Sequence, residues 1–415
     1  MKTGHNRLTR RFGACELGQQ TLKLFIAAVV VALSQIASAG TSQDQEFFNT
    51  LRTRCSDPSI PFGSDLYNLC ASAFSGGLAG GTYSSGLVST NIGTSGIQGT
   101  ASQSSAAQQR MCTDSPTECR EAEKKKAGGA SADFSFAGIG FLVSAQGGAT
   151  ARNPTDLENG FDSDAWGLTF GADYLVTDRF LVGLTLGYND NDATFRDSAG
   201  GLRSKTTSGT LYLAYTPLDN AYLGGYLGTG RIRNSGNKRV LFGGVSGTTG
   251  SSNGGNQDIA GASGGYDWQL GSARLGGFLN VDSAWSRLDG YTESGNTGLE
   301  LIQPAQKIRF LTSTLGLRLS ASRAYDWGTL QPEVRLAHVH EFQNDARVIT
   351  TALAIDPITR FFVATDSPDR NWGLIGLGSS FETGRGTRWF VDYERRVGHA
   401  FLSSWAASGG VIIGF

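Results

Sequence analysis

Apolar and polar residues alternate with a period of two from about residue 134 to the C terminus. The last eleven residues, 405–415, show this pattern clearly, because Trp405 and Phe415 end an apolar row whose opposite row is mostly small. Successive side chains of a β-strand point to opposite faces of the sheet. A strand of about ten residues with one apolar face and an aromatic residue at each end is typical of a strand that crosses a membrane.

The same alternation predicts twelve strands in all. In one of the clearest, Trp166, Leu168 and Phe170 alternate with glycine and threonine. The predicted strands are 134–147, 163–176, 179–190, 205–216, 220–233, 257–270, 273–288, 306–322, 328–342, 370–382, 386–397 and 403–415.

The connections between these strands are alternately short and long. Short turns are predicted at 177–178, 217–220, 271–272, 324–328 and 383–386, and long loops at 148–162, 191–204, 234–256, 289–305 and 343–369. Outer-membrane barrels combine an even number of antiparallel strands with short periplasmic turns and long outer loops. The predicted fold class is therefore all-β: a 12-stranded antiparallel transmembrane β-barrel over 134–415, with a short, mainly helical or disordered N-terminal extension and a helix expected in the lumen.

The N terminus has the features of an export signal. Lysines and arginines are scattered over residues 1–23, an apolar core occupies 24–33, and Ala37-Ser38-Ala39 provides a small-x-small cleavage pattern. We therefore predict a signal peptide over 1–39. Beyond it, the sequence contains no apolar run of the length that a transmembrane helix requires.

Residues 40–105 are predicted to be a small exported segment. Apolar spacings of three and four residues predict two helices within 40–75, and the Gly/Ser/Thr-rich stretch 75–105 predicts a flexible linker. Cleavage after Ala39 would remove Cys15 and leave four cysteines, and four cysteines in an exported chain suggest disulfides. We predict the sequence-near pairs Cys55–Cys70, which would tie the two helices into a hairpin, and Cys112–Cys119, although spacing alone leaves the other two pairings open.

A third helix is predicted over 116–127, within a linker segment that spans 106–133. Ser115 is a good N-cap, Glu118 completes a capping box, and Gly128-Gly129 ends the helix. Its surface is almost wholly polar, which suits a charged barrel lumen better than an apolar core. A solvated helix outside the membrane is the alternative.

Composition narrows the classes of function. The 415 residues carry a net charge of −1, so nothing indicates a nucleic-acid partner. Glycine is very frequent, at 58 residues, and the mean hydropathy is slightly negative. Both features are compatible with a barrel whose residues face lipid and water in turn.

The strand region resembles the translocator barrel of the autotransporter (type V secretion) family. The resemblance covers 134–415 and rests on DAWGLTFGADYLVTDRFLVGLTLGY, GYDWQLG, GTLQPEVRLAHVHEF and the closing RNWGLIGLGSSF, GTRWFVDYERRV and VIIGF. It implies a barrel in the cell outer membrane that exports an N-terminal passenger and keeps a linker helix in its pore. The segment between signal and barrel is unusually short here. The Asn-Asn pair at which some family members cut their passenger does not occur in the sequence, so self-cleavage is not expected.

The charged rows of the strands predict the lining of the barrel. Mixed charge on these rows is explained either by salt-bridged filling of the lumen or by a wet pore that seats a helix, and the two interpretations overlap. The predicted lumen-lining residues are Asp173, Arg274, Asp282, Arg318, Glu333, Arg335, Arg388, Asp392, Glu394 and Arg396. The predicted C-terminal barrel-assembly signal is Trp405, Val411, Ile413 and Phe415.

Two further motifs are better explained by structure than by chemistry. Gly261-Ala262-Ser263-Gly264-Gly265 matches the Gly-x-Ser-x-Gly nucleophile elbow, but that motif requires a strand-to-helix turn, and here it lies inside a predicted strand. His338 and His340 share a strand face about 7 Å apart, yet that face is the lipid-facing one. We therefore predict no catalytic site, no metal site and no cofactor.

The sequence leaves three functions open. The first is a translocator that inserts in the outer membrane and exports or displays its own N-terminal segment. The alternatives are a free-standing, porin-like channel with a periplasmic plug, and a surface adhesin that acts through its outer loops. The expected partners are outer-membrane lipid, the barrel-assembly machinery and periplasmic chaperones, with a monomeric barrel and no identified surface ligand.

Overall fold

The structure of the protein, a computed structural model, describes residues 42–74, 138–343, 345–367, 369–383 and 387–414. Outside these described residues lie the predicted signal peptide 1–39, the whole linker 75–105, the predicted helix 116–127, Cys112, Cys119 and Phe415. Two helices, α1 (Ser42–Cys55) and α2 (Asp65–Phe74), precede the strands. Neither of these two helices is long and apolar enough to cross a membrane.

Twelve long strands form a closed antiparallel barrel, as predicted. All strands, in chain order, are β1 (Ile139–Arg152), β2 (Phe161–Thr177), β3 (Phe180–Phe195), β4 (Gly200–Leu218), β5 (Ala221–Phe242), β6 (Val245–Leu270), β7 (Ala273–Leu288), β8 (Tyr291–Thr292), β9 (Leu301–Gln303), β10 (Gln306–Ala321), β11 (Arg323–Tyr325), β12 (Gly328–Glu341), β13 (Val348–Leu353), β14 (Arg360–Ala364), β15 (Asn371–Glu382), β16 (Thr387–Val397) and β17 (Leu402–Ile413).

The barrel consists of all these strands except β8, β9, β11, β13 and β14. Consecutive barrel strands pair with each other, and β1 pairs with β17 to close the ring. Each barrel strand therefore has a hydrogen-bonded neighbour on both sides, which is the condition for placing a sheet in lipid.

The outward face of the barrel is apolar. On β2, Trp166, Phe170 and Tyr174 are exposed, whereas Thr169 and Asp173 on the alternate row are buried. Trp166 and Tyr174 lie about 26 Å apart along the strand, or about 20 Å in height at a strand tilt of about 40°. This is most of the apolar band of an outer membrane, about 25 Å.

The two ends of the barrel differ. The turns after β2, β4, β6, β10 and β15 lie at one end, here called the short-turn end. The connections after β1, β3, β5, β7, β12 and β16 lie at the opposite, long-loop end. Ile139 pairs with Tyr174, close to the turn after β2, so β1 begins at the short-turn end.

The prediction of a loop over 234–256 was wrong. β5 continues to Phe242 and β6 begins at Val245, so that the two strands are joined by a two-residue turn. Similarly, β3 and β4 extend into the predicted loop 191–204. These extensions are rich in Gly, Ser and Asn, which have low strand propensity. Pairing with the neighbouring strand and burial of Val240 and Phe242 outweigh that propensity.

Two other predicted loops contain a second sheet. β8 and β9 lie within 289–305, β13 and β14 lie within 343–369, and the four strands pair in the order β14-β13-β9-β8. β1 also lies later in the chain than the predicted 134–147. We predicted that it would end at Gly147, but Gly147 and Gly148 pair with both neighbouring strands and the ladder continues to Arg152.

The predicted helical hairpin is present, and the predicted disulfide Cys55–Cys70 is confirmed, with a Cα–Cα distance of 5.4 Å. Phe47 and Leu51 of α1 and Leu66 and Leu69 of α2 are buried. They cluster with residues of the long-loop end, namely Val240, Phe242, Leu299, Leu301, Leu353 and Phe361. The hairpin therefore lies at the end of the barrel opposite the start of β1.

Candidate functional site

The barrel encloses a cavity of about 550 Å³. Most of its lining comes from β1, β12, β15, β16 and β17. It extends from Ser320 and Gln331, near the short-turn end, to Glu158 and Asp366 in the connections of the long-loop end. The cavity thus follows the barrel along one side of the lumen.

Lumen contacts link strands that are not direct neighbours. The Tyr212 hydroxyl on β4 donates to Asp173 Oδ2 on β2 at 2.7 Å, and Gly183 of β3 pairs with both residues. Adjacent strands lie about 4.8 Å apart, so side chains two strands apart meet only where the middle position leaves room. A Cβ on Gly183 would lie closer than 3.0 Å to the Tyr212 ring. Glycine at the middle position therefore makes the contact possible.

The same arrangement places Asp282. The Tyr226 hydroxyl on β5 donates to Asp282 Oδ1 on β7 at 2.5 Å, above Gly261 of β6. A Cβ on Gly261 would also come closer than 3.0 Å to the tyrosine ring. The second predicted lumen carboxylate is thus held by a tyrosine two strands away.

Near the short-turn end, Arg318 forms an ion pair with Asp267. This pair is more buried than the ion pairs that Arg335 forms in the lumen. Arg318 Nη2 lies 2.9 and 3.0 Å from the two carboxylate oxygens of Asp267, and its guanidinium carbon lies 5.3 Å from the centre of the Tyr222 ring. The arginine and aspartate side chains are only 5% and 7% exposed. Gly276 of β7 lies between the two strands, and a Cβ there would come closer than 3.0 Å to both side chains.

Arg335 links two carboxylates on the other wall. Its Nη1 donates to Glu333 Oε1 at 2.8 Å, and its Nη2 donates to the Asp392 oxygens at 2.7 and 2.6 Å. Gly376 and Gly378 of β15 lie between β12 and β16 at these positions. All three charged side chains line the cavity.

Three of the four remaining predicted lumen residues line the cavity. These are Arg388, Glu394 and Arg396. The guanidinium carbon of Arg396 lies 4.8 Å from the centre of the Trp372 ring. Arg274 is half-buried at the start of β7, near the short-turn end. The cavity wall therefore carries both signs of charge along its length.

At the long-loop end, charged residues join separate connections. Arg152 Nη2 lies 2.6 Å from Asp366 Oδ2, and the same guanidinium is paired with Glu158.

His399, in the connection after β16, accepts two backbone N–H bonds at its Nδ1. Burial and the nearby Arg396 lower the pKa of His399 to about 4, so its ring is neutral at pH 7.

Part of the lumen is apolar, which we did not predict. These residues lie on the inward rows of β2 to β7 and β10, and include Phe161, Ala193, Phe195, Leu202, Ile232, Ile259, Ala284, Leu288, Ile308 and Phe310. Their packing fills that side of the lumen, which is why the cavity lies toward β12–β17 and β1.

The partner residues Tyr212, Tyr226 and Asp267 were also missed. Asp267 could have been found, because it lies between the outward aromatics Tyr266 and Trp268 and must therefore face inward. The tyrosines gave no comparable signal, because an aromatic residue on a barrel strand is usually assigned to the lipid interface.

The remaining candidate residues lie on strands. Ser263 is buried inside β6, which continues to Leu270 and then turns into β7, so the strand-to-helix turn of a nucleophile elbow is not formed there. His338 is exposed on the outward row of β12, and His340 Nδ1 lies 2.8 Å from Asn371 Oδ1. Among the described residues, no group of three His, Cys, Asp or Glu residues could hold a metal ion.

The proposed assembly signal lies on the outward row of the last strand. Trp405 and Ile413 are exposed there, and Val411 is half-buried. The ring of Trp405 stacks on that of Tyr393 at 6.2 Å. These residues are positioned to meet lipid.

The long-loop end forms a second candidate site, where the hairpin is bound. Arg54 Nε donates to Asp356 Oδ2 at 2.7 Å, and the Thr359 hydroxyl donates to the same carboxylate at 2.6 Å. Burial alone would raise the pKa of Asp356, but these hydrogen bonds outweigh it and hold the pKa below its ordinary value. Asp356 is therefore charged at neutral pH and fixes the end of α1.

The turn between β5 and β6 approaches α2 very closely. The backbone N–H of Gly244 donates to the carbonyl oxygen of Ser72 at 3.1 Å. Gly243 has φ +56°, a conformation that glycine adopts without strain. A Cβ at this position would come closer than 3.0 Å to the Ala73 carbonyl. Glycine is thus required both for the turn and for the contact.

Comparison with known proteins agrees with this architecture. The model of the autotransporter β-domain family matches residues 141–394, which is more than half of the chain. The translocator domain of autotransporter NalP from Neisseria meningitidis matches with a TM-score of 0.56 at 16% identity, covering 79% of this chain and 100% of that one. The β-domain of the Bordetella autotransporter BrkA matches with a TM-score of 0.51 at 20% identity, covering 66% and 99%. At these identities the two structures show the fold.

Two curated proteins are also similar. Esterase EstA of Pseudomonas aeruginosa is 26% identical over 237 residues, which are 53% of this chain and 34% of the esterase. Esterase EstA of Pseudomonas putida matches to the same extent. The chain thus spans only about a third of the length of these relatives. The match to the family model places the barrel in the outer membrane, and the chain belongs to the autotransporter β-domain family.

Proposed function

We propose that this protein is a translocator that exports its own N-terminal segment and displays it as a disulfide-tied hairpin on the outer end of the barrel. The proposal rests on one observation, which is that the hairpin and the start of β1 lie at opposite ends of the barrel. Residues 42–74 pack at the long-loop end, whereas β1 begins at the short-turn end. In outer-membrane barrels the long loops face the exterior and the short turns face the periplasm.

Covalent continuity then requires residues 75–137 to join the two ends. Polar backbone cannot cross the hydrocarbon of a bilayer without internal partners, and this segment is rich in glycine, serine and charged residues. The lumen offers a route with polar walls. An extended chain covers about 3.3 Å per residue. The 63 residues of this segment could therefore span several times the height of the barrel.

The alternative of a channel with a periplasmic plug is less well supported. A periplasmic plug would contact the short-turn end of the barrel. The contacts of the hairpin are instead with residues of the long-loop end, such as Phe242 and Phe361. Display therefore explains the position of the hairpin without further assumptions.

The translocator requires no covalent chemistry, and we propose that the described part of the chain is not an enzyme. Ser263, in the motif that resembles a nucleophile elbow, is part of a barrel strand. The esterase relatives are about three times longer than their matched region, so their activity does not carry over. Insertion is expected to depend on outer-membrane lipid, periplasmic chaperones and the barrel-assembly machinery.

Passage through the lumen is testable by conductance in planar bilayers. Deleting residues 100–127, which include the predicted helix, should raise the conductance severalfold, because a thinner chain then occupies the cavity. Deleting residues 76–99 should leave the conductance unchanged, since the predicted helix is retained. If both deletion variants remain heat-modifiable barrels and conduct like the unmodified protein, the predicted helix 116–127 does not lie in the lumen.

A further inference from the structure

We infer that the long-loop end of the barrel is a receptor surface that holds the hairpin without a covalent tether. After a cut in the connection between residue 74 and β1, hairpin and barrel would remain one complex. The inference rests on the proposed function only for the side of the membrane on which the hairpin lies. It concerns contacts that can be measured on the purified protein.

The apolar residues of the hairpin form one cluster with residues of the barrel. Phe47 and Leu51 are 1% and 0% exposed, and they are buried in a cluster to which the barrel connections contribute more than half of the fully buried members. Segments this short rarely fold on their own apolar packing. The disulfide Cys55–Cys70 joins the two helices, but the barrel covers their apolar side.

Aromatic packing concentrates at the tip of the β5–β6 hairpin. Three rings of the helical hairpin surround Phe242, with centroid distances of 6.2 Å to Phe47, 5.4 Å to Phe48 and 6.0 Å to Phe74. Phe47 also lies 4.4 Å from Phe361 of β14. Edge-to-face and tilted pairs at such distances stabilise beyond simple burial. Both helices thus contribute to a single aromatic cluster with two separate parts of the barrel.

Polar contacts fix the orientation of the hairpin on this surface. The Arg54–Asp356 ion pair holds the end of α1, and the aspartate side chain is only 6% exposed. The Gly244–Ser72 hydrogen bond holds the end of α2. The Arg54 side chain is 24% exposed and also pairs with Asp57 of the hairpin, so the contact with Asp356 fixes the orientation of α1 more than it adds stability. The hairpin is therefore held at both helix ends as well as by its apolar face.

All of these contacts involve residues 42–74 and the barrel connections, so a cut after residue 74 leaves every one of them in place. Retention after cleavage is therefore the expected behaviour of this surface. A hairpin held only by its tether would be released.

The test uses the full chain with a site-specific protease sequence, flanked by short Gly/Ser spacers, inserted after Gly76. The protein is purified in detergent and cleaved until a reducing denaturing gel shows no uncut chain, and the products are separated by size exclusion. We expect the hairpin fragment to elute with the barrel, at least tenfold enriched over the small-fragment position. Elution of the hairpin as a free fragment would overturn the inference.

Two matched variants distinguish specific binding of the hairpin to the long-loop end from non-specific adhesion to the barrel. Phe47→Asp places a charge in the aromatic cluster and should release most of the cleaved hairpin. Phe62→Asp alters an aromatic residue of the same hairpin that is 88% exposed, so retention should be unchanged. Heat-modifiable mobility of both variants verifies that the barrel is folded. Equal retention of both variants would also overturn the inference.

Failure of hairpin retention can be distinguished from failure of the proposed function. Retention is measured on purified protein and does not depend on the side of the membrane that the hairpin occupies. Display is measured on intact cells. A hairpin that is retained in detergent but hidden on cells would contradict display while leaving the receptor surface intact.

Discussion

Replacing Arg318 with methionine is expected to lower the temperature at which the barrel unfolds in SDS by a wide margin. Methionine fills much of the arginine volume but leaves the Asp267 carboxylate without its guanidinium, and both side chains are nearly fully buried. Breaking a buried pair from one side costs about 3–5 kcal/mol. The loss should appear as a shift of the heat-modifiable gel band to lower temperature.

The matched control is Arg287→Met. Arg287 and Asp258 also form an ion pair in the barrel, at 3.4 Å, but their side chains are 65% and 43% exposed. Exposed pairs contribute about 0–1 kcal/mol, so this variant should unfold within a few degrees of the unmodified protein. Equal shifts for the two variants would show that the Arg318 pair has no special role in the lumen.

Replacing Gly243 with alanine is expected to detach the helical hairpin while leaving the barrel folded. The added methyl group would collide with the Ala73 carbonyl, so the β5–β6 turn and α2 could no longer keep their contact. We expect hydrogen exchange of the amides in 42–74 to become at least about tenfold faster, which corresponds to about 1.4 kcal/mol. Mass spectrometry of the exchanged peptides measures this directly.

Gly271→Ala provides the control for backbone strain. Gly271 has φ +64°, close to the +56° of Gly243, and it also lies in a two-residue turn between barrel strands. Nothing lies within 4 Å of a Cβ built there. Both alanines therefore meet the same left-handed backbone penalty, and only the Gly243 variant should expose the hairpin. If hydrogen exchange of the amides in 42–74 is not faster in either variant, the β5–β6 turn does not hold α2.

The barrel could be predicted because its physical basis is local. Every strand that crosses a membrane must place apolar residues on one row and water-compatible residues on the other, and rows such as Leu315, Leu317 and Leu319 record this directly. All three side chains are exposed on the outward face. The disulfide Cys55–Cys70 was likewise predictable, since the apolar spacings on either side of it indicated two adjacent helices.

The lumen contacts could be predicted only in part. Charge on the inward rows identified Asp282 and Arg318, but their partners lie two strands away and the contacts depend on Gly261 and Gly276 in between. A glycine in one strand gives no sequence signal that links it to side chains in two others. The high glycine content of this chain is therefore partly explained by contacts that only the register reveals.

The long-loop end was predicted least well, for a related reason. The stretch 234–256 contains many Gly, Ser and Asn residues and has weak alternation, so it resembles a loop. Its conformation is decided by pairing over the full length of β5 and β6 and by the hairpin that covers Val240 and Phe242. These are long-range interactions, and the local pattern does not contain them.

The side of the membrane on which the hairpin lies decides between display and a periplasmic plug. One short epitope is inserted after Gly63, between α1 and α2, and in a second, matched variant the same epitope is inserted after Gly271 in a short turn; a Cβ at either glycine has open space around it. An antibody should bind the Gly63 epitope on intact cells, and the Gly271 epitope only after the outer membrane is permeabilised. An antibody that reaches both epitopes only after permeabilisation, while both barrels remain heat-modifiable, would contradict display of the hairpin.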